Sequence, residues 1–166
     1  MDGSLWGPIT AAVAFWAAVA TIGALVTDIG PWYKGLKMPA WKPRDALFGP
    51  IWTTVFIGAG TGGVIAWRGD GGTPTERKLF LLACVVNAIG NIHWSYLFFR
   101  RRRPDWALAQ VGFFWLSILW MYWTTRPLAY EAGIWFAPYI AWVTAAIKLN
   151  WDVVRLNGPF NGSPRG

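Results

Sequence analysis

The spacing of its charged residues constrains this chain more than any other feature. Residues 3–27, 46–67, 79–99 and 106–125 contain no Asp, Glu, Lys or Arg, and a shorter gap at 132–147 resumes after Lys148 through 149–151. A bilayer core about 30 Å thick calls for about 20 apolar residues per helix. Four gaps meet that length directly, and the fifth does so if Lys148 snorkels to the interface from its last turn. The expected fold is therefore an all-α integral membrane protein, a single domain over 1–166 with five transmembrane helices. They fall at about 5–27, 46–67, 79–99, 106–125 and 132–154, with a lid loop over 28–45. A soluble five-helix bundle would show polar faces at 3.6-residue spacing, and these segments have almost none. A composition 55% hydrophobic and only 14% charged agrees with the membrane reading. A cleavable signal peptide would open on a basic stretch, whereas residues 1–7 carry only Asp2, so the first helix is expected to be retained. The single cysteine, Cys84, excludes an intrachain disulfide framework and leaves the redox compartment open.

Five spans put the N-terminus and the 68–78 and 126–131 loops on one side, with Arg68, Arg77, Lys78 and Arg126. The other side holds Lys34, Lys37, Lys42, Arg44, Arg100, Arg101, Arg102, Arg103, Arg155 and Arg165, with Lys148 nearby. Short basic loops stay cytoplasmic, which places the lid loop and the C-terminus there. The net charge of +7 then needs no nucleic-acid partner, because the basic cluster doubles as a topology signal that touches anionic lipid.

The lid loop is stiff. Pro39 and Pro43 fix their own φ and push Met38 and Lys42 out of the helical region. Trp32, Tyr33 and Trp41 are rings suited to a membrane–water boundary. Lys34, Lys37, Lys42 and Arg44 surround them with positive charge. The stretch suits a cap over a ligand pocket, although taken alone it fits an interfacial anchor that binds nothing slightly better. The second helix, starting after Asp45 as a cap, carries Phe48, Trp52 and Phe56 on one face, then Gly58 and Gly62 as a small-residue pair that favours close helix packing.

The third span carries amides. Asn87, Asn91 and Trp94 fall at i, i+4 and i+7 on one stripe, with Ser95 beside it. Carboxamides at membrane depth need partners, from neighbouring helices or from a ligand or water in a cavity. His93, the only histidine, lies about 200° round from Asn91 at 100° per residue and is a poor candidate for an axial haem ligand in the same pocket. The far end of the fourth span crowds Trp115, Trp120, Tyr122 and Trp123 into an interfacial belt. The fifth carries Trp135, Tyr139, Trp142, Ala146 and Leu149 on an aromatic face, with Pro138 placed to kink it.

Three motifs together are specific. WYxxLxxPxWxPxxxxFxxxWT at 32–53, NxxWSxxFF at 91–99 and PYxxWxxxAxxLN at 138–150 resemble the TspO/MBR family, the tryptophan-rich sensory proteins whose mitochondrial members are called translocator protein and peripheral-type benzodiazepine receptor. The resemblance implies a five-helix bundle, usually a homodimer. It implies binding of porphyrins, haem-like tetrapyrroles or sterols in a pocket under the first loop. The family's pocket tryptophan falls on Trp52, its polar pair on Asn87 and Asn91, and its last-helix aromatic on Trp142. The chain departs from the pattern at Met38 before Pro39, at Arg44 after Pro43 and at Phe56, where tyrosine is frequent. Trp151 replaces the tyrosine at the centre of the animal sterol motif, so sterol binding is the less expected activity.

A tetrapyrrole is a flat aromatic plate with two carboxylates on one edge, so its site needs aromatic walls, cations at the mouth and a few polar groups. The expected ligand-binding set is Trp41, Trp52, Phe56, Asn87, Asn91, Trp94, Tyr139, Trp142 and Ala146, with Lys34, Lys37, Lys42 and Arg44 as rim cations. No carboxylate pair lies in a span, and neither a metal-ligand cluster nor a Ser–His–Asp or Cys–His set is present. No catalytic residue, metal or required cofactor is expected. A sensor or carrier of tetrapyrroles comes first. Light-dependent porphyrin breakdown and a lipid- or sterol-binding membrane protein are the alternatives.

Overall fold

The computed structural model describes residues 5–160, and in these residues five helices are long and apolar enough to cross a membrane. Asp2 and Arg165, on which the leader and orientation expectations partly rest, lie outside them. Helix α1 spans Trp6–Val26, and a single turn α2, Pro31–Lys34, sits in the lid loop. Helix α3 spans Asp45–Arg68, α4 Pro74–Ser95, α5 Pro104–Thr125 and α6 Ala137–Asn157.

Helix boundaries differ from the charge-free gaps because the first and last turns of a span lie among headgroups, where charge is tolerated. Helix α4 starts at Pro74, ahead of the expected 79. Thr73 caps it: its hydroxyl accepts from the Glu76 backbone N–H at 3.3 Å, and Glu76 accepts from the Thr73 N–H at 2.6 Å. Beyond Ser95 the helix widens into a π-helical turn, Tyr96–Arg100. Asp45 does not cap α3; it is the first helical residue, where its charge suits the positive end of the helix. Pro138 does not kink the last span. It occupies the second position of α6, where a missing N–H costs nothing, and a 3₁₀ segment, Tyr130–Phe136, precedes it.

The glycine pair in α3 serves packing inside the chain. A Cβ on Gly58 would lie 2.8 Å from the Trp135 carbonyl oxygen, and one on Gly62 2.9 Å from that of Ala132. The 3₁₀ segment thus rests directly on the α3 backbone. On the same membrane face Arg77 donates to the carbonyls of Trp67, Gly69 and Gly71 at 2.5, 2.7 and 3.1 Å, knitting the 69–73 turn together. Thr53, Thr54, Thr61 and Thr144, all outward-facing, return their hydroxyls to the carbonyl four residues back, so none of these donors is left bare toward lipid.

A candidate ligand cavity under the lid

One core runs from the middle of α1 to the middle of α6. Trp16 stacks on Phe56 (centroids 5.3 Å apart), Phe56 on Trp52 (5.3 Å), and Trp52 meets Trp142 edge-on at 6.4 Å. Above this aromatic floor lies a cavity of about 490 Å³, within the range of small-molecule sites. Helix α1 contributes Val19 and Gly23, with Thr27 just past its end, the lid Tyr33 and Met38, and α3 Phe48, Trp52 and Phe56. The α4 end adds Asn91, Trp94 and Phe98, and α6 adds Trp142, Ala146, Leu149 and Asn150. Helix α5 lends no wall; it closes the back of the bundle.

Of the expected ligand-binding residues, Trp52, Phe56, Asn91, Trp94, Trp142 and Ala146 line this one cavity. Tyr139 and Asn87 sit immediately behind it, fully buried. The Tyr139 hydroxyl donates to Asn87 Oδ1 at 2.9 Å and accepts from Asn91 Nδ2 at 3.0 Å, while Asn87 Nδ2 donates to Ser117 Oγ at 2.9 Å. The amide stripe therefore divides by depth. Asn87 is interhelical glue joining α4, α5 and α6, and Asn91, one turn nearer the lid, joins that chain and also faces the cavity. His93 is exposed on the opposite face, in keeping with its angle on the helix.

Trp41 lies outside the wall. It is half-exposed, and its indole N–H donates to Asp152 Oδ2 at 3.0 Å while Lys148 Nζ stands 5.5 Å from its ring centroid. Lys148 points outward and pairs with the buried Asp152 one turn on. A second fastening lies beside it. Asn157 accepts from the Lys37 N–H and donates to the Lys37 carbonyl, both at 2.8 Å. The lid is thus latched to the end of α6.

None of the four rim cations lines the cavity. Lys34, Lys37 and Arg44 are exposed, and Lys42 turns inward to an ion pair with Asp45. Tyr33, under the lid, donates to the same carboxylate at 3.2 Å. Burial raises the Tyr33 pKa above the ordinary tyrosine value. Burial works against the Lys42 ammonium, but its hydrogen bond to Asp45 and the adjoining negative charge outweigh it and hold its pKa above the ordinary lysine value. Among the described residues Asp45 is then the one charged side chain on the wall, with its charge shared between Lys42 and Tyr33.

One polar atom in the wall lacks a partner. The Trp142 indole N–H is buried and, among the described residues, donates to nothing. By contrast, the Trp94 N–H is held by Asn150 Oδ1 at 3.1 Å. No group of three or more His, Cys, Asp or Glu among the described residues could hold a metal ion.

The profile of the TspO/MBR family matches residues 11–156. The chain belongs to that family. Among TspO/MBR relatives it is 30% identical to a tryptophan-rich sensory protein of Cereibacter sphaeroides, over 92% of each chain. It is 30% identical to the human translocator protein, over 81% of this chain and 79% of that one. A tryptophan-rich protein TspO of Chlorobaculum tepidum is 29% identical over 76% of this chain and 79% of its own. The matched span takes in the lid and most or all of each of the five transmembrane helices, so the family assignment and the integral multi-pass membrane character rest on nearly the whole fold.

Sequence reasoning missed Asp152, Asn150, Asn157 and the α1 wall. Lys148 and Asp152 carried a readable signal, opposite charges at i and i+4 inside an otherwise apolar span. The α1 wall carried none, since Val19, Gly23 and Thr27 resemble any lipid-facing residues until the helix is docked.

Proposed function

We propose that the chain is a membrane receptor or carrier that binds porphyrin-type tetrapyrroles in the cavity under the lid. The observation that carries this is the composition of the wall. Trp52, Phe56, Trp94 and Trp142 offer aromatic surface to a flat ring, and the unpaired Trp142 N–H offers a donor that the protein's own side chains leave unused. The relatives' names, sensory protein and translocator protein, accord with binding or carrying rather than with a catalytic centre.

The ligand's carboxylates belong at the lid-side mouth. There Lys42 can exchange Asp45 for a ligand oxygen, and Lys34 stands in the adjoining α2 turn. No protein ligand to iron is needed, so metal-free porphyrin binds as well as haem. The lid and C-terminus face the cytoplasm on this reading, following the excess of Lys and Arg on that side. The functional unit is a homodimer; Gly58 and Gly62 are spent on internal packing, so its contact uses other outward faces.

Protoporphyrin titrated against tryptophan fluorescence in reconstituted membranes tests the proposal. Saturable quenching that disappears in the Trp52→Ala, Trp142→Ala double variant supports it, and quenching that never saturates counts against it. A second reading, light-dependent porphyrin breakdown, draws on the unbroken run of rings Trp16, Phe56, Trp52, Trp142 and Phe48, each within 6.4 Å of the next, along which an electron could pass to a photoexcited ligand. New pigment absorbance on illuminating the complex separates it from binding alone.

A further inference from the structure

We infer that the ligand enters this cavity sideways from the bilayer, through a portal between the C-terminal half of α1 and the first turns of α3, and not from water through the lid. The inference rests on the binding reading above and adds the source and class of ligand: a flat amphiphile already dissolved in the membrane.

Three observations converge. The first is the way α1 and α3 pack. About midway along the pair the helices touch: a Cβ on Gly60 would lie 3.4 Å from Trp16, which stacks on Phe56. Toward the lid there is open space beside both helices. A Cβ built on Gly23 of α1 or on Gly49 of α3 meets nothing within 4 Å, although both residues line the cavity. The seam between the pair is closed by aromatic rings at depth and bordered by open space near the lid.

The second observation is which wall residues are also exposed. Ala20 and Ala24 on α1 and Gly49 and Thr53 on α3 each line the cavity and face the surroundings. Ala20 lies six residues below the end of α1 and Thr53 eight residues below the start of α3. At 1.5 Å rise per residue the opening therefore extends about 9–12 Å into the span. That depth reaches the hydrocarbon, not merely the headgroups. The jambs are small or returned on themselves; the Thr53 hydroxyl bonds the Gly49 carbonyl at 3.0 Å, so the passage presents no free polar group to an apolar plate.

The third observation is that the alternative route is fastened. The lid carries the paired Lys37–Asn157 bonds, the Trp41–Asp152 bond and the Lys42–Asp45–Tyr33 cluster, on both sides of the loop. Entry through it requires breaking these together, whereas the portal needs no bond broken. A ligand sliding in through the portal keeps its carboxylate edge at the lid-side interface, near Lys34 and Lys42, while its apolar body never leaves lipid.

The test uses the full chain in phosphatidylcholine vesicles, with protoporphyrin as probe and stopped-flow tryptophan quenching as readout. Leucines at both jambs, Gly23→Leu with Gly49→Leu, are expected to slow association and dissociation at least tenfold each while their ratio moves less than threefold. Gly23→Ala with Gly49→Ala is expected to fall between, which keeps the test alive if the leucines disturb folding. Asn157→Ala, which removes one of the lid's fastenings, is expected to leave both rates within twofold. At fixed total porphyrin the rate is expected to follow its mole fraction in lipid rather than its aqueous concentration. Unchanged rates in both glycine pairs, or a rate that rises with Asn157→Ala and tracks aqueous porphyrin, overturn the inference while leaving binding intact. Absence of saturable quenching in the unmodified chain overturns the binding reading itself, and the portal with it.

Discussion

Tyr139→Phe removes one oxygen from the centre of the bundle. That oxygen donates to Asn87 at 2.9 Å and accepts from Asn91 at 3.0 Å, and both Tyr139 and Asn87 are fully buried, so no water can replace it. Interhelical hydrogen bonds within membranes contribute about 0.6 kcal/mol on average and at most about 1.7. Two bonds lost give about 1–3 kcal/mol. The middle of that range is expected, since Asn87 keeps Ser117 but its carbonyl oxygen is stranded. Reversible unfolding in mixed detergent–dodecyl sulfate micelles, followed by far-ultraviolet circular dichroism, measures it, with Tyr130→Phe at an exposed ring as the control. A loss of about 2 kcal/mol corresponds to roughly 30-fold in the folding equilibrium. The reasoning fails if Tyr139→Phe is as stable as Tyr130→Phe, or if Tyr139→Phe and Asn87→Ala effects simply add, because residues sharing a bond must couple.

Other expectations follow from single contacts. Gly62→Ala places a methyl 2.9 Å from both the Ala132 carbonyl and the Phe136 ring and should cost about 1–3 kcal/mol, whereas Gly23→Ala, with open space, should gain up to about 1 kcal/mol; thermal unfolding in detergent compares them. Trp142→Phe removes a buried donor without a partner, so it should stabilise the ligand-free protein by about 1 kcal/mol while weakening protoporphyrin binding, as denaturation and titration would show. The raised pKa values of Lys42 and Tyr33 mean that the folded lid holds their protons more tightly than the unfolded chain does. Their contribution is complete at neutral pH and is lost as pH rises above about 10. Protection from hydrogen exchange across residues 31–44, relative to the intrinsic base-catalysed rate, should therefore fall at alkaline pH, and Asn157→Ala should lower it already at pH 7.

The number and order of spans were legible because lipid punishes charge so heavily that its absence for about 20 residues leaves little room for anything but a membrane helix. Phe48, Trp52 and Phe56 were legible as one face, since helix geometry alone sets their spacing. The division of labour between Asn87 and Asn91 was not. Periodicity puts both on one stripe, and only the docking of Tyr139 from α6 decides which is sealed and which borders the cavity. The lid cations could not be placed either, because composition reports their charge but not that Lys42 turns inward to Asp45. Pro138 misled for a related reason: a proline inside an apolar run marks a kink or a helix start, and the Gly58 and Gly62 backbone that receives the 3₁₀ segment settles it as a start.

The most direct measurement of the central claim is induced circular dichroism in the absorption band of bound protoporphyrin. A ring held against the Trp52 and Trp142 walls must acquire a signal from its asymmetric surroundings, saturating at one ligand per chain and lost in Trp52→Ala, Trp142→Ala. No induced signal, or one that persists unchanged in that double variant, would contradict it.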